Sequence, residues 1–260
     1  MKVISIALRK GGSGKTTTAV NVAAGLQMRG RRTLLVDLDD QANATMCVGL
    51  NPFALEKSID TLFTDISVQP SEVVTVTDFG LSVLPATTDL EKTAAGMNAT
   101  SIHALKPILD ALVTDFDYVI IDTQPGHSYL SLSALVASDY ALIPLQAHYL
   151  AMEGLARIMN DIQRVQHGDV LNSSRGPNPH LRVFGILPCM VQQNTNVAQL
   201  VIDKTKSDYP HLVLPLEIKL SVSFVNASLQ GEPIVVADPK HPGAVAYQQL
   251  VDMIIKNMEV

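Results

Sequence analysis

The residues most able to do chemistry stand at the start of the chain. Gly11-Gly12-Ser13-Gly14-Lys15-Thr16-Thr17 follows the apolar run Val3–Leu8 and opens a helix-like stretch, Lys15–Arg29. Strand, glycine loop and helix, in that order, make a phosphate cradle. Glycines let backbone N–H groups turn inward onto phosphate oxygens, and the helix start adds its positive dipole end. Lys15 supplies a point charge for the β and γ phosphates, and the Thr16 hydroxyl suits Mg²⁺. The spacing G-x-x-x-x-G-K-[ST] fails here, because residue 9 is arginine rather than glycine. A second lysine, Lys10, stands five residues before Lys15.

A phosphate loop needs carboxylates to hold the metal and orient water. The run Leu34-Leu35-Val36-Asp37-Leu38-Asp39-Asp40-Gln41 puts Asp37 and Asp39 on one strand face at its carboxyl end, where open α/β sheets bind ligands. Asp37 also reads as a helix-capping or loop carboxylate. Tyr118-Val119-Ile120-Ile121-Asp122-Thr123 is an apolar strand ending in an acid, which places Asp122 to bind Mg²⁺ through water. His127 could serve as a base but reads as a surface-loop histidine.

These groups need a scaffold. Val3–Leu8, Thr33–Leu38, Leu81–Pro85, Tyr118–Asp122, Ala141–Gln146, Val183–Leu187 and Val213–Leu214 read as short strands apolar on both faces. Lys15–Arg29, Leu105–Asp115, Ser128–Ala137, Met152–Gln166, Val197–Ser207 and Gly243–Met258 read as helices. Such alternation predicts a three-layer α/β/α fold with a mostly parallel twisted sheet. Val73–Thr77 and Leu81–Pro85 are either a hairpin or two edge pieces. Asp169–His180 is a loop rich in Pro, Gly, Ser and Asn, an excursion within one domain spanning 1–260.

Composition narrows the function classes. Of 260 residues 47% are hydrophobic and 17% charged, which excludes a disordered chain. Net charge is −6, so contact with nucleic acid needs a local basic patch. No apolar run approaches the roughly 20 residues of a membrane span, and the N-terminus lacks signal-peptide features. Cys47 and Cys189 have no metal spacing. A reduced, cytoplasmic protein is expected.

The string K-G-G-x-G-K-T-T, from Lys10 to Thr17, resembles the deviant Walker A motif of the ParA/MinD ATPases. The acidic segment is similar to the family's D-x-D-P-Q, with Asp40 in place of proline. The segment after Asp122 reads Thr123-Gln124-Pro125-Gly126 where the family has T-P-P. Leu84-Pro85-Ala86 with Asp89-Leu90, Ile143-Pro144-Leu145-Gln146-Ala147 with Glu153-Gly154-Leu155, and Gly231-Glu232-Pro233-Ile234 through Asp238-Pro239 to Ala246-Tyr247 extend the resemblance, and favour ParA/Soj over MinD.

The resemblance implies a P-loop ATPase using ATP and Mg²⁺. Lys10 would reach across a nucleotide-sandwich homodimer to the other subunit's phosphates, and Gly11 through Thr17 would cradle its own. Asp39 would position or activate the attacking water and join Thr16 and Asp122 in the metal set, with Asp37 in support. Adenine would be met by loops after the late strands, at Met190 and at Pro215, Leu216 and Glu217. Non-specific, ATP-dependent DNA binding would fall to Lys219, Lys204, Lys206 and Lys240, while Asn194-Thr195 lacks an arginine usual in the family. A ParB-like or other cargo adaptor with a basic N-terminal segment would stimulate hydrolysis on the nucleoid.

Three other classes share the loop or the fold. A MinD-like membrane-surface ATPase needs a basic amphipathic tail, whereas Leu250–Val260 has one lysine against two acids. An iron-protein redox ATPase needs paired cysteines at the dimer axis. Small-molecule ligases have no use for Lys10. Nothing before the phosphate loop reads as a DNA-reading extension, and no residue pattern names the cargo.

Overall fold

A computed structural model describes residues 1–148, 151–168, 175–192 and 196–259. Along the chain lie β1 (Lys2–Ile6), α1 (Lys15–Met28), β2 (Thr33–Leu38), α2 (Asn43–Cys47), α3 (Ile59–Thr64), β3 (Thr75–Val76), β4 (Ser82–Leu84), α4 (Asp89–Gly96) and α5 (Leu105–Asp110). Then come β5 (Tyr118–Thr123), α6 (Tyr129–Ala137), β6 (Tyr140–Gln146), α7 (Ala151–His167), β7 (Arg182–Cys189), α8 (Asn196–Asp208), α9 (Ser223–Leu229), α10 (Ile234–Ala237) and α11 (Pro242–Met258).

The strands form one sheet in the order β3-β4-β2-β5-β1-β6-β7. All neighbours pair in parallel except the short edge strand β3, which is antiparallel to β4. The segment left open in the sequence is therefore a small hairpin turning at Phe79-Gly80. Gly80 N–H closes it onto the Thr77 carbonyl at 2.9 Å, with φ at +87° that glycine adopts without strain.

Alternation along each strand feeds two layers. Leu35, Tyr118, Ile120, Ile4 and Ile6 face α1, α10 and α11. Leu34, Val36, Val119 and Ile121 face the opposite side, with α3, α5 and α6. A further apolar cluster joins β6 to α6 and α7 through Ile143, Leu145, Leu155 and Ile158. Both faces are covered, as a parallel sheet requires. The three-layer expectation holds.

Two element readings are corrected. Val213–Leu214 is not a strand: Val213 makes only an isolated parallel bridge to Ile186, because Pro188 on β7 has no N–H to give the Leu214 carbonyl, and the Pro188 carbonyl accepts from Ile218 N–H at 2.8 Å instead. The helix expected over Leu105–Asp115 ends at Asp110 and continues as turns. Five short helices, α2, α3, α4, α9 and α10, escape periodicity because none exceeds eight residues, too few to repeat an apolar pattern. Of the Asp169–His180 loop, residues 169–174 lie outside the described residues, as do Asn194 and Thr195.

α1 shows how the sheet anchors the site. It begins at Gly14, whose φ of +89° lets the chain turn from loop into helix. Thr18 through Leu26 are all buried, between the sheet and α11. Gly25 permits that fit: a Cβ there would stand 2.8 Å from the Val251 side chain. Thr18 Oγ1 and the Tyr247 hydroxyl meet at 3.1 Å, and Val235 N–H donates to Asn21 Oδ1 at 3.1 Å. The helix behind the phosphate loop is thus held at three buried polar and apolar points.

Candidate functional site

The carboxyl ends of β1, β2 and β5 converge on one cavity of about 580 Å³. Its walls are Gly11 to Thr17 from the glycine loop, Asp39, Asp40, Gln41 and Asn43 after β2, Gln124 and Pro125 after β5, and Met190 after β7. Every loop residue expected to cradle phosphate except Lys10 lies in this wall. Met190 does too; its backbone is left-handed at φ +52°, which turns the chain over the loop. Pro215, Leu216 and Glu217 do not line it; Pro215 and Glu217 are exposed and Leu216 packs on the core.

The two lysines of the loop behave differently. Lys15 is buried, its Nζ donating to the Lys10 carbonyl at 3.3 Å. Burial pushes its pKa down, while Asp122 and Asp39 hold it up. Such an ammonium gains most when a polyanion enters. Lys10 faces elsewhere. Its Nζ donates to Gln146 Oε1 at 3.4 Å, at the end of β6, and its stem lies over Gly154 on α7.

Asp37 and Asp122 are paired across β2 and β5 and both are fully buried. Asp37 is satisfied. Its Oδ2 accepts from Thr45 N–H at 2.8 Å and from Thr45 Oγ1 at 2.7 Å, and its Oδ1 accepts from Asp39 N–H at 3.1 Å. Thr45 Oγ1 in turn accepts from Ala86 N–H at 3.0 Å. Asp37 therefore fastens α2 and the end of β4 to β2, the capping role rather than a metal-facing one. Burial still lifts its pKa to about 6, against the pull of Thr45.

Asp122 has no hydrogen-bond donor at either oxygen. Burial first, and then Asp37, push its pKa up to about 8, while Thr16 and Lys15 alongside pull it down. A buried carboxylate with no donor is costly unless a cation compensates it. Thr16 and Asp122 thus fit a hard dication that prefers oxygen ligands and keeps several waters. Asp39 sits at the cavity wall with Gln41 N–H on its Oδ1 at 3.0 Å, and burial raises its pKa. The Ser13 hydroxyl is also buried without a partner.

Gln124, at the departure from T-P-P, donates from Nε2 to Ser128 Oγ at 2.6 Å. Ser128 also caps α6 by accepting from Ser131 N–H at 3.0 Å. Residue 124 therefore ties the loop after β5 to the start of α6. His127 is exposed, as expected, and faces Arg9 rather than the cavity.

The four lysines considered for DNA are exposed. Lys204 is engaged with Asp208 at 2.7 Å, four residues on along α8. Lys219 lies in an isolated bridge with Val191. Lys206 closes α8 and Lys240 precedes α11.

A family model for an AAA domain matches residues 1–174. The sporulation initiation inhibitor protein Soj of Bacillus subtilis is 34% identical, over 98% of this chain and 99% of that protein. The chromosome partitioning protein ParA of Myxococcus xanthus is 35% identical, over 98% and 88%. The chain belongs to the ParA/Soj family.

Among solved structures, one described as cobyrinic acid a,c-diamide synthase of Mycobacterium smegmatis, with bound ATP analogue and magnesium, is 32% identical at a TM-score of 0.83. The match covers 100% of this chain and 96% of that one. Within the ParA/Soj family frame, the residues that sequence alone did not single out are Thr45, Gln146 and Asn43. Thr45 and Gln146 stand eight and 136 positions from the residues they hold, so no local pattern announces them.

Proposed function

We propose that this chain, as one domain over 1–260, is a ParA-type ATPase that dimerises around ATP and binds DNA non-specifically while dimeric. Lys10 carries the reading. Lys15 serves the subunit's own cavity, but Lys10 is held outside it on Gln146. A cation at that position gains most from a second subunit's triphosphate. The ATP phosphates would lie on the N–H groups of Gly11 to Thr17, and Met190, in the cavity wall, would meet the base. Mg²⁺ would be held by Thr16 and, through water, Asp122, and would neutralise charge on the phosphates. Asp39 would orient the attacking water.

The dimer would double a patch of Lys206, Lys219, Lys240 and, on release from Asp208, Lys204. A cargo adaptor with a basic N-terminal segment would accelerate hydrolysis and so release the dimer from the nucleoid. Partition of a chromosome, a plasmid or another cargo is the task such a cycle performs.

The membrane-surface alternative finds no support in α11. Ala244, Tyr247, Leu250, Val251 and Ile254 are buried against the body of the protein, so the helix has no free apolar face to insert. A small-molecule ligase would leave Lys10 without a task.

Light scattering with and without Mg-ATP tests the reading. The wild type is expected to shift from monomer to dimer, Lys10→Ala to stay monomeric while still binding nucleotide, and Asp39→Ala to remain dimeric with slow turnover. ATP-dependent dimerisation of Lys10→Ala at wild-type concentration would end it.

A further inference from the structure

Arg9 replaces the first glycine of the usual phosphate loop, and its guanidinium does not line the cavity. It makes a two-pronged ion pair with Asp161, a buried residue on α7; Arg9 Nε donates to Asp161 Oδ2 at 2.6 Å and Nη2 to Oδ1. Arg9 Nη2 also stands 2.9 Å from His127 Nδ1. A guanidinium has only donors, so Nδ1 accepts and the imidazole hydrogen sits on Nε2. The backbone repeats the link: Gly126 N–H donates to the Arg9 carbonyl at 2.9 Å.

Residue 9 is thus bonded to three things at once. It adjoins Lys10 in sequence. It grips the loop after β5 by carbonyl and side chain, and that loop reaches the cavity through Gln124 and Pro125. It grips α7 by a charged, planar fork, which fixes orientation as well as distance.

We propose that Arg9 and Asp161 are a positioning pair that couples the loop over the phosphate cavity, through His127, to α7. A shift of Gln124 and Pro125 on nucleotide binding moves Gly126 and His127, and the fork passes the displacement to α7. Neither residue touches the phosphates. The inference rests on the nucleotide reading of the cavity.

Hydrogen exchange with Mg²⁺ and the slowly hydrolysed analogue ATPγS tests it. A Lys10→Ala background, which the proposed dimer requires to be monomeric, confines any protection to one subunit. Exchange is expected to slow roughly tenfold both in residues 11–17 and in α7. In Asp161→Asn the slowing persists in 11–17 and is lost in α7, with nucleotide affinity little changed. His127→Ala, altered at an exposed position, uncouples α7 in the same direction. Arg9→Lys keeps the charge but loses the fork, and fails to restore coupling. Equal α7 protection in the Asp161→Asn and His127→Ala proteins, or none in their parent while 11–17 is protected, overturns the coupling. No protection in 11–17 of the parent overturns the nucleotide reading itself.

Discussion

Asp37 and Asp122 face one another across β2 and β5, yet one carboxylate holds three donors and its neighbour none. The difference divides their work. Asp37 is spent on holding Thr45, and Asp122 keeps its oxygens free. Because burial lifts the folded pKa of Asp122 from 3.8 to about 8, the folded state holds its proton more tightly than the unfolded chain. That contribution is fully present below about pH 4 and is lost as pH rises through 8. Asp122→Asn should therefore melt higher than wild type at pH 9 without ligand, and the gap should close near pH 4. The same variant should lose about 10- to 100-fold in magnesium affinity. Calorimetry across pH decides; a gap that does not widen with pH means that the buried charge is compensated in some other way.

Thr45→Val removes one of the three donors to Asp37, the hydroxyl, and with it the acceptor for Ala86 N–H, while the backbone N–H of residue 45 stays. Leaving buried polar groups unpaired costs about 1–3 kcal/mol each. Loss of the hydroxyl donor drives the Asp37 pKa above its present value of about 6. The destabilisation should then be larger at pH 8 than at pH 5. Thr45→Ser keeps the donors and should recover most of the loss in urea denaturation.

Lys15→Ala should weaken nucleotide binding by roughly 30- to 1000-fold, the range expected when one partner of a desolvated charge pair is removed. The same substitution leaves Asp39 and Asp122 without their shared cation, so the pKa of both rises further. Titration with a fluorescent ATP analogue measures the first effect. Affinity within threefold of wild type would place the phosphates elsewhere.

DNA binding by the ATP-bound form should fall steeply with salt. About six phosphate contacts, three lysines on each of two subunits, predict a loss of about 10³-fold between 50 and 200 mM. Lys219→Ala should flatten the slope by about two in a dimer, with no sequence dependence. Anisotropy on two unrelated duplexes measures both, and salt-independent binding would exclude the lysine patch.

The sheet and the phosphate loop were legible because both are local. Strand runs such as Tyr118–Asp122 are apolar on both faces, and the glycine loop is contiguous with its strand and helix. Asp37 was ambiguous because its partner, Thr45, lies in a five-residue helix with no periodicity to read. Val213–Leu214 looked like a strand by composition but faces Pro188, which has no N–H to continue the ladder, and pairing is decided by neighbours and not by propensity. The position of Lys10 was beyond the sequence for the same reason: Gln146 reaches it from the other end of a crossover.

Packing of α1 limits where motion can occur. A helix buried along ten of its fourteen residues, and locked to α10 and α11 through Asn21 and Thr18, cannot slide or tilt without unmaking the close packing around it. It is a fixed mount. Whatever mechanical work follows the breaking of a phosphoanhydride must recoil outward, into the surface loops and the helices beyond the opposite face of the sheet.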